Sequence, residues 1–212
     1  MRNRLGRSAV LCITAVAILA AISAPGAGAA EVIDDYTVEV TLTPDAVMQI
    51  VETIAYDFDG QPDRHGIQRD LVVEETLSNG GTQSYGVNVT EVTANGSPVP
   101  FSSTRNGEFL SVRIGDPDVT VSGIIDYQVS YSVTGAVRAI TADEATAESN
   151  LTAGDIELYW DLIGDGWGVP ITSASATISG PATPVAAACY THRWTTTNHY
   201  TFACKVPVQV AA

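Results

Sequence analysis

The sequence predicts an all-β fold, an antiparallel Ig-like β-sandwich preceded by a signal peptide. Three observations predict it. Apolar and polar residues alternate with a period of two over several segments. Turn signals such as Asn79-Gly80-Gly81, Asn95-Gly96, Asn106-Gly107 and Gly115-Asp116-Pro117 separate those segments. The chain begins with a basic, then apolar, then small-residue leader.

The leader is assigned to residues 1–30. Arg2, Arg4 and Arg7 precede the apolar run Ala9–Ala24, and Ala27 and Ala29 form an A-x-A pattern, which places cleavage after Ala29 or Ala30. An uncleaved anchor is the alternative, since the run is near the lower limit for a spanning helix. Residues 31–212 are then one extracytoplasmic β-sandwich domain, exported and either secreted or associated with the cell envelope. No second long apolar segment follows, so membrane association is expected only if a missing C-terminal anchor exists beyond Ala212.

The strands follow in order. Tyr36, Val38, Val40 and Leu42 alternate with polar residues, and Met48, Ile50, Ile54, Tyr56 and Phe58 share one face of the next strand. Tyr85, Val87 and Val89, then Phe109 to Ile114, form further strands, with Asn106-Gly107 as a hairpin turn. A long half-buried strand is expected from Val119 to Val133. Ala139–Asn150 has no apolar stripe and reads as a loop or short exposed helix. Near the end, Cys189 and Cys204 are the two cysteines outside the leader, and in an exported protein they read as a disulfide closing a hairpin over 189–204. A loop of about 15 residues closed this way contributes about 3 kcal/mol in the chain-entropy model.

Charge excludes some functions. The chain has 24 acidic and 10 basic residues, a formal net charge of −14. Loss of the three leader arginines makes the mature chain about −17. Nucleic acid and anionic membrane surface are therefore not expected partners. The motifs G-x-S-x-G, H-E-x-x-H, the P-loop and the Rossmann glycine pattern are absent from the sequence. No enzyme activity, cofactor or metal is expected.

Five residues are candidate binding positions: Glu52, Arg64, His65, Arg69 and Trp167. Glu52 lies on the apolar face of its strand, where a carboxylate needs a partner. Arg69 is the expected partner, with Arg64 or His65 as alternatives. Asp57-Phe58-Asp59-Gly60-Gln61-Pro62-Asp63 faintly resembles a calcium loop but lacks the third alternating Asp and the bidentate Glu, and Asp116-Pro117-Asp118 and Asp161 with Asp165 are similar acidic turns. His192 and His199 flank Trp194 without a third zinc ligand in sight and read as exposed hairpin residues. In the run Glu157–Ile171, Trp160 is expected to be a buried core anchor. Trp167, between two glycines, is expected to be more exposed and available for contact.

Taken in order, these segments resemble a known family. They are Asp35–Val38, Ile50–Phe58, His65-Gly66-Ile67-Gln68-Arg69-Asp70, Arg113–Asp116, the strand with Tyr127 and Tyr131, Leu158–Gly164 and Trp167–Ile171. The pattern, about residues 33–178, resembles the N-terminal extracytoplasmic domain of the predicted membrane proteins called domain of unknown function 2207. The resemblance implies a signal peptide, a β-rich external domain and a following membrane helix, and it brings no catalytic residues. The expected function is non-catalytic binding at the cell envelope, with an envelope protein or glycan as partner. A secreted acid-dependent hydrolase and a structural envelope spacer are the alternatives.

Overall fold

A computed structural model of the protein describes residues 30–77, 80–142, 152–164, 166–182, 184, 187, 190–194 and 199–203. Residues 1–29 of the expected leader, both cysteines of the expected disulfide (Cys189 and Cys204), Asp165 and residues 143–151 lie outside these. The side chains of the terminal hairpin, His192, Trp194 and His199 included, lie outside them too.

Every element among the described residues is a strand. In chain order they are β1 (Val32–Leu42), β2 (Met48–Asp57), β3 (Ile67–Val72), β4 (Glu74–Thr76), β5 (Thr82–Ser84), β6 (Gly86–Ala94), β7 (Ser97–Pro98) and β8 (Phe101–Asn106). There follow β9 (Phe109–Ile114), β10 (Ile124–Thr134), β11 (Val137–Ala139), β12 (Ile156–Leu158), β13 (Ala174–Ser179), β14 (Tyr190–Trp194) and β15 (His199–Ala203). The large sheet runs β13-β1-β2-β10-β6-β7, and a three-stranded sheet runs β3-β9-β8. The pairs β4–β5, β11–β12 and β14–β15 form small ribbons. All the strand pairs are antiparallel except β1–β13, which is parallel. The large sheet is thus mixed, where the sequence predicts a purely antiparallel one.

Alternation works as expected in the central strands. In β2, Met48, Ile50, Glu52, Ile54 and Tyr56 are buried, while Gln49 and Thr53 are exposed. In β10 the buried set is Tyr127, Val129, Tyr131 and Val133. β1 has a bulge between Ile33 and Asp35, which brings Ile33 and Tyr36 to the same buried face despite their odd spacing. One buried cluster joins these residues to Ile67 and Leu71 of β3 and to Val112 and Ile114 of β9. The core therefore lies between the large sheet and the three-stranded sheet. Tyr36, Tyr127, Tyr131 and Phe58 are its largest fully buried side chains, each worth about 1.5–3 kcal/mol or more in removed apolar surface.

The expected long strand begins late. β10 starts at Ile124, because Asp116–Val119 forms a turn and Gly123 adopts φ +70°. Asp116 Oδ1 accepts from the Asp118 N–H at 2.9 Å, and Val119 N–H donates to Asp116 O at 3.1 Å. The alternation read from sequence continues through this segment, but the left-handed glycine interrupts the extended backbone. The Asn-Gly turns at 95–96 and 106–107 follow hairpin rules. Asn95 and Gly96 both have positive φ, as a type I′ turn requires, and Gly107 has φ +61° where β8 meets β9.

Candidate functional site

β2 lies between β1 and β10, so Glu52 sits mid-sheet, beside Val38 on one side and Val129 on the other. Its relative exposure is 0%, and that of Arg69 is 3%. Arg69 reaches down from β3, where it shares the inward face with Ile67 and Leu71. The pair is bidentate. Arg69 Nε donates to Glu52 Oε2 and Nη2 donates to Oε1, both at 2.9 Å. Tyr36 Oη donates to Oε2 and Tyr131 Oη to Oε1, both at 2.6 Å. Each carboxylate oxygen thus accepts one guanidinium and one phenol hydrogen bond. That is the condition under which a buried charge pair becomes tolerable.

The pairing of Glu52 with Arg69 is the one expected from sequence. Arg64 and His65 go elsewhere. Arg64 forms a two-point ion pair with Glu31, which also accepts from Tyr56 Oη. The His65 ring nitrogen Nδ1 lies 3.0 Å from Val119 O. Burial opposes the Arg69 charge most strongly of any single cause, but Glu52, Tyr36 and Tyr131 together outweigh it and raise the guanidinium well above its ordinary value. Burial pushes both phenols, Tyr36 and Tyr131, well above the usual tyrosine value; the Glu52 charge raises them further and Arg69 partly offsets this.

These phenols predict an alkaline transition. In the unfolded chain tyrosines lose their protons near pH 10, whereas in the folded protein Tyr36 and Tyr131 hold theirs to higher pH. Their contribution is therefore complete below about pH 10 and is lost as pH rises toward the folded value, by up to about 1.4 kcal/mol per pH unit for each phenol. Urea unfolding between about pH 8 and 11 should give a plateau and then a fall above about pH 10, shallower in Tyr36→Phe. A flat profile up to pH about 11 would contradict the arrangement.

The run after β12 lies over this pair. Arg69 Nη2 also donates to Leu162 O at 3.2 Å, and Nη1 donates to Asp70 O at 2.7 Å. Asp161 Oδ1 accepts from Gly164 N–H at 2.9 Å, closing a turn in which Gly164 has φ +78°. A Cβ on Gly164 would stand 2.8 Å from Arg69 Nη1, so the missing side chain lets the guanidinium fit beneath the turn. Trp167 donates from Nε1 to Ile163 O at 3.0 Å and packs edge-on against Tyr36 at 5.8 Å. Trp160 packs edge-on against Tyr85 at 5.0 Å. Its indole N–H is buried without a hydrogen bond of normal geometry, the Tyr131 hydroxyl being the group close enough to feel it. Both tryptophans are half-buried and both pack against the core. Trp160, expected to be buried, is thus only half-buried, and Trp167, expected to be the more exposed, falls in the same range, held by Tyr36 and the Ile163 carbonyl.

A cleft of about 360 Å³ opens beside this turn, lined by residues of β3, β4 and β9, the start of the turn, and Tyr85 and Glu108. Tyr159 (58% exposed) and Phe109 (39% exposed) stand in it with Trp160, beside Glu74, Glu75, Glu108 and Asp161. A smaller space of about 130 Å³ adjoins it, sharing Val72, Phe109 and Asp161, and reaches Arg69 and Gly164. Of the sequence candidates, Glu52, Arg69 and Trp167 come together, while Arg64 and His65 lie apart from the cleft. Sequence reasoning missed Glu74, Glu75, Glu108 and Phe109, which lie in separate segments with no shared motif.

The acidic turns are occupied by their own backbone. Asp57 Oδ1 accepts from Asp59 N–H at 2.8 Å, as Asp116 does from Asp118. Among the described residues no three His, Cys, Asp or Glu converge to hold a metal ion, and no helix is long and apolar enough to cross a membrane.

Comparison with known proteins gives three findings. The family model described as "Predicted membrane protein (DUF2207) N-terminal domain" matches residues 32–205. The uncharacterized protein YciQ of Escherichia coli (strain K12) is 29% identical over 134 residues, which are 62% of this chain and 19% of that protein. Among solved structures, leukotriene A4 hydrolase from Saccharomyces cerevisiae overlaps 84% of this chain and 27% of its own, at 13% identity and a TM-score of 0.47. An M1 zinc metallopeptidase from Deinococcus radiodurans overlaps 84% and 40% respectively, at 14% identity and a TM-score of 0.37. At these scores neither overlap bears on activity. The chain spans about a fifth of the curated relative's length.

Proposed function

Since this chain belongs to the DUF2207 family of predicted membrane proteins, whose N-terminal domain it carries, we propose that it is an exported, non-catalytic domain that binds a ligand or partner at the cell envelope. The observation that carries this reading is the open cleft at Tyr159, Trp160 and Phe109, set against a consolidated buried pair. A recognition surface needs exposed aromatic area on a rigid support, and the cleft has both. The support for a non-catalytic role is that Glu52 is fully engaged by internal donors and faces no open space. Glu52 and Arg69 act as positioning residues for the turn, and Trp167 as its seal. We read the two facing sheets as an Ig-like sandwich with β13 as its parallel departure. Export rests on the leader.

Envelope fractionation combined with photo-crosslinking tests this. A photoreactive residue at Tyr159 or Phe109 should give a discrete adduct in the envelope or exported fraction. The same group at Thr53, exposed on the large sheet, should give none. Retention of the protein in the cytosol, or equal labelling from all three positions, would overturn the proposal.

A further inference from the structure

We infer that the occupant of the Tyr159 cleft is a cationic segment of a protein, a stretch bearing lysine or arginine; this rests on the binding role proposed above. The argument is one of charge complementarity over an aromatic groove. None of the ten residues lining the cleft is a lysine or arginine. Glu74 is paired with Arg105 at 2.9 Å. The other three carboxylates have neutral donors: Glu75 accepts from Tyr85 Oη at 2.7 Å, Glu108 from Thr76 Oγ1 at 3.5 Å, and Asp161 from the Gly164 amide. The neighbouring cations are committed, Arg69 to Glu52 and Arg138 to Glu157. Among the described residues, three negative charges therefore converge on one groove without a counterion.

The groove also has apolar surface where a cation would sit. Tyr159 and Phe109 are exposed, and Trp160 stands beside them. An ammonium or guanidinium group over such rings gains a cation–π contact while its charge meets the carboxylates. Its aliphatic stem can lie along the aromatic faces. A neutral sugar would stack on the same rings but would leave the three carboxylates uncompensated. The Tyr159 phenol is raised from its usual value, by burial first and then by Glu75, Asp161 and Glu157, in keeping with a negative field at the groove.

The test is a tryptophan-fluorescence titration of the protein recovered from its exporting cells. The probes are an end-capped tetralysine peptide, the matching tetraglutamate and a neutral chitotetraose. Tetralysine alone should saturate, and its affinity should fall at least about tenfold between about 0.05 and 0.5 M salt. The isosteric triple variant Glu75→Gln/Glu108→Gln/Asp161→Asn, which retains the neutral hydrogen bonds, should bind at least about tenfold more weakly. The control Asp34→Asn/Glu39→Gln/Glu91→Gln removes equal charge at exposed positions elsewhere, and should remain within about twofold. Saturation by chitotetraose alone, or an equal loss in the control, overturns the cationic occupant. A Tyr159 adduct in the envelope with no tetralysine binding overturns this inference and leaves the binding role standing. Failure of both overturns both.

Discussion

Replacing Arg69 by methionine should lower the stability of the domain by about 3–5 kcal/mol. The loss comes from what remains behind. Glu52 is completely buried at mid-sheet, beside Val38 and Val129, and without Arg69 only the two phenols would face its charge. Breaking a buried pair from one side is the costly case, whereas replacing the whole group by apolar residues of similar volume is close to neutral. The quadruple variant Glu52→Leu/Arg69→Met/Tyr36→Phe/Tyr131→Phe should therefore regain most of the lost stability. In a domain of this size the single variant should melt about 6–20 °C lower. Amide exchange at Ile163, Gly164 and Trp167 should quicken as well, because the Arg69 bond to Leu162 O is lost with the side chain. Urea unfolding of the two variants decides the matter. A single variant within about 1 kcal/mol of the parent, or a quadruple variant no better than the single, would refute it.

That pair was legible in the sequence because it follows from a local rule with one outcome. Glu52 falls on the same face as Ile50 and Ile54, and the strand period gives it no route to water. Arg69 lies just after the next turn, so few partners compete. The phenols were not legible, since a tyrosine on an inward face looks like any other core aromatic until the register of β1 and β10 against β2 is known. The parallel pairing of β13 with β1 is hidden for a related reason. Ala174–Ser179 has no large apolar residue before Ile178, and its partner lies far upstream in the chain. The cleft is the least legible feature. Glu75, Phe109, Tyr159 and Asp161 come from three segments, brought together by strand order that no local spacing encodes.

Alanine at Gly66 or at Gly115 should each destabilise the fold by about 2–6 kcal/mol, combining about 1–3 for backbone strain with about 1–3 for overpacking. The two glycines face each other where the chain enters β3 and leaves β9. A Cβ on Gly66 would stand 1.9 Å from Ile114 O, and one on Gly115 would stand 1.9 Å from His65 O. Their φ angles are +136° and +127°. Both obstacles are backbone carbonyls that cannot rotate aside as a side chain would, so the upper half of the range is expected. Gly96→Ala and Gly107→Ala are the controls. Those positions have φ +74° and +61° with nothing within 4 Å of a new Cβ, and should lose only about 1–2 kcal/mol. The crossing also aims the ion pair, because Ile67 pairs with Ile114 at the head of β3 and Arg69 is the next inward residue along it. If Gly66→Ala shifts β3, part of its cost is the same loss that Arg69→Met inflicts. The two changes together should then fall short of their sum by at least about 0.5 kcal/mol. Full additivity would mean that the crossing stabilises β3 and β9 without positioning Arg69. A Gly66→Ala loss no larger than that of Gly96→Ala would mean that the backbones are not pressed together.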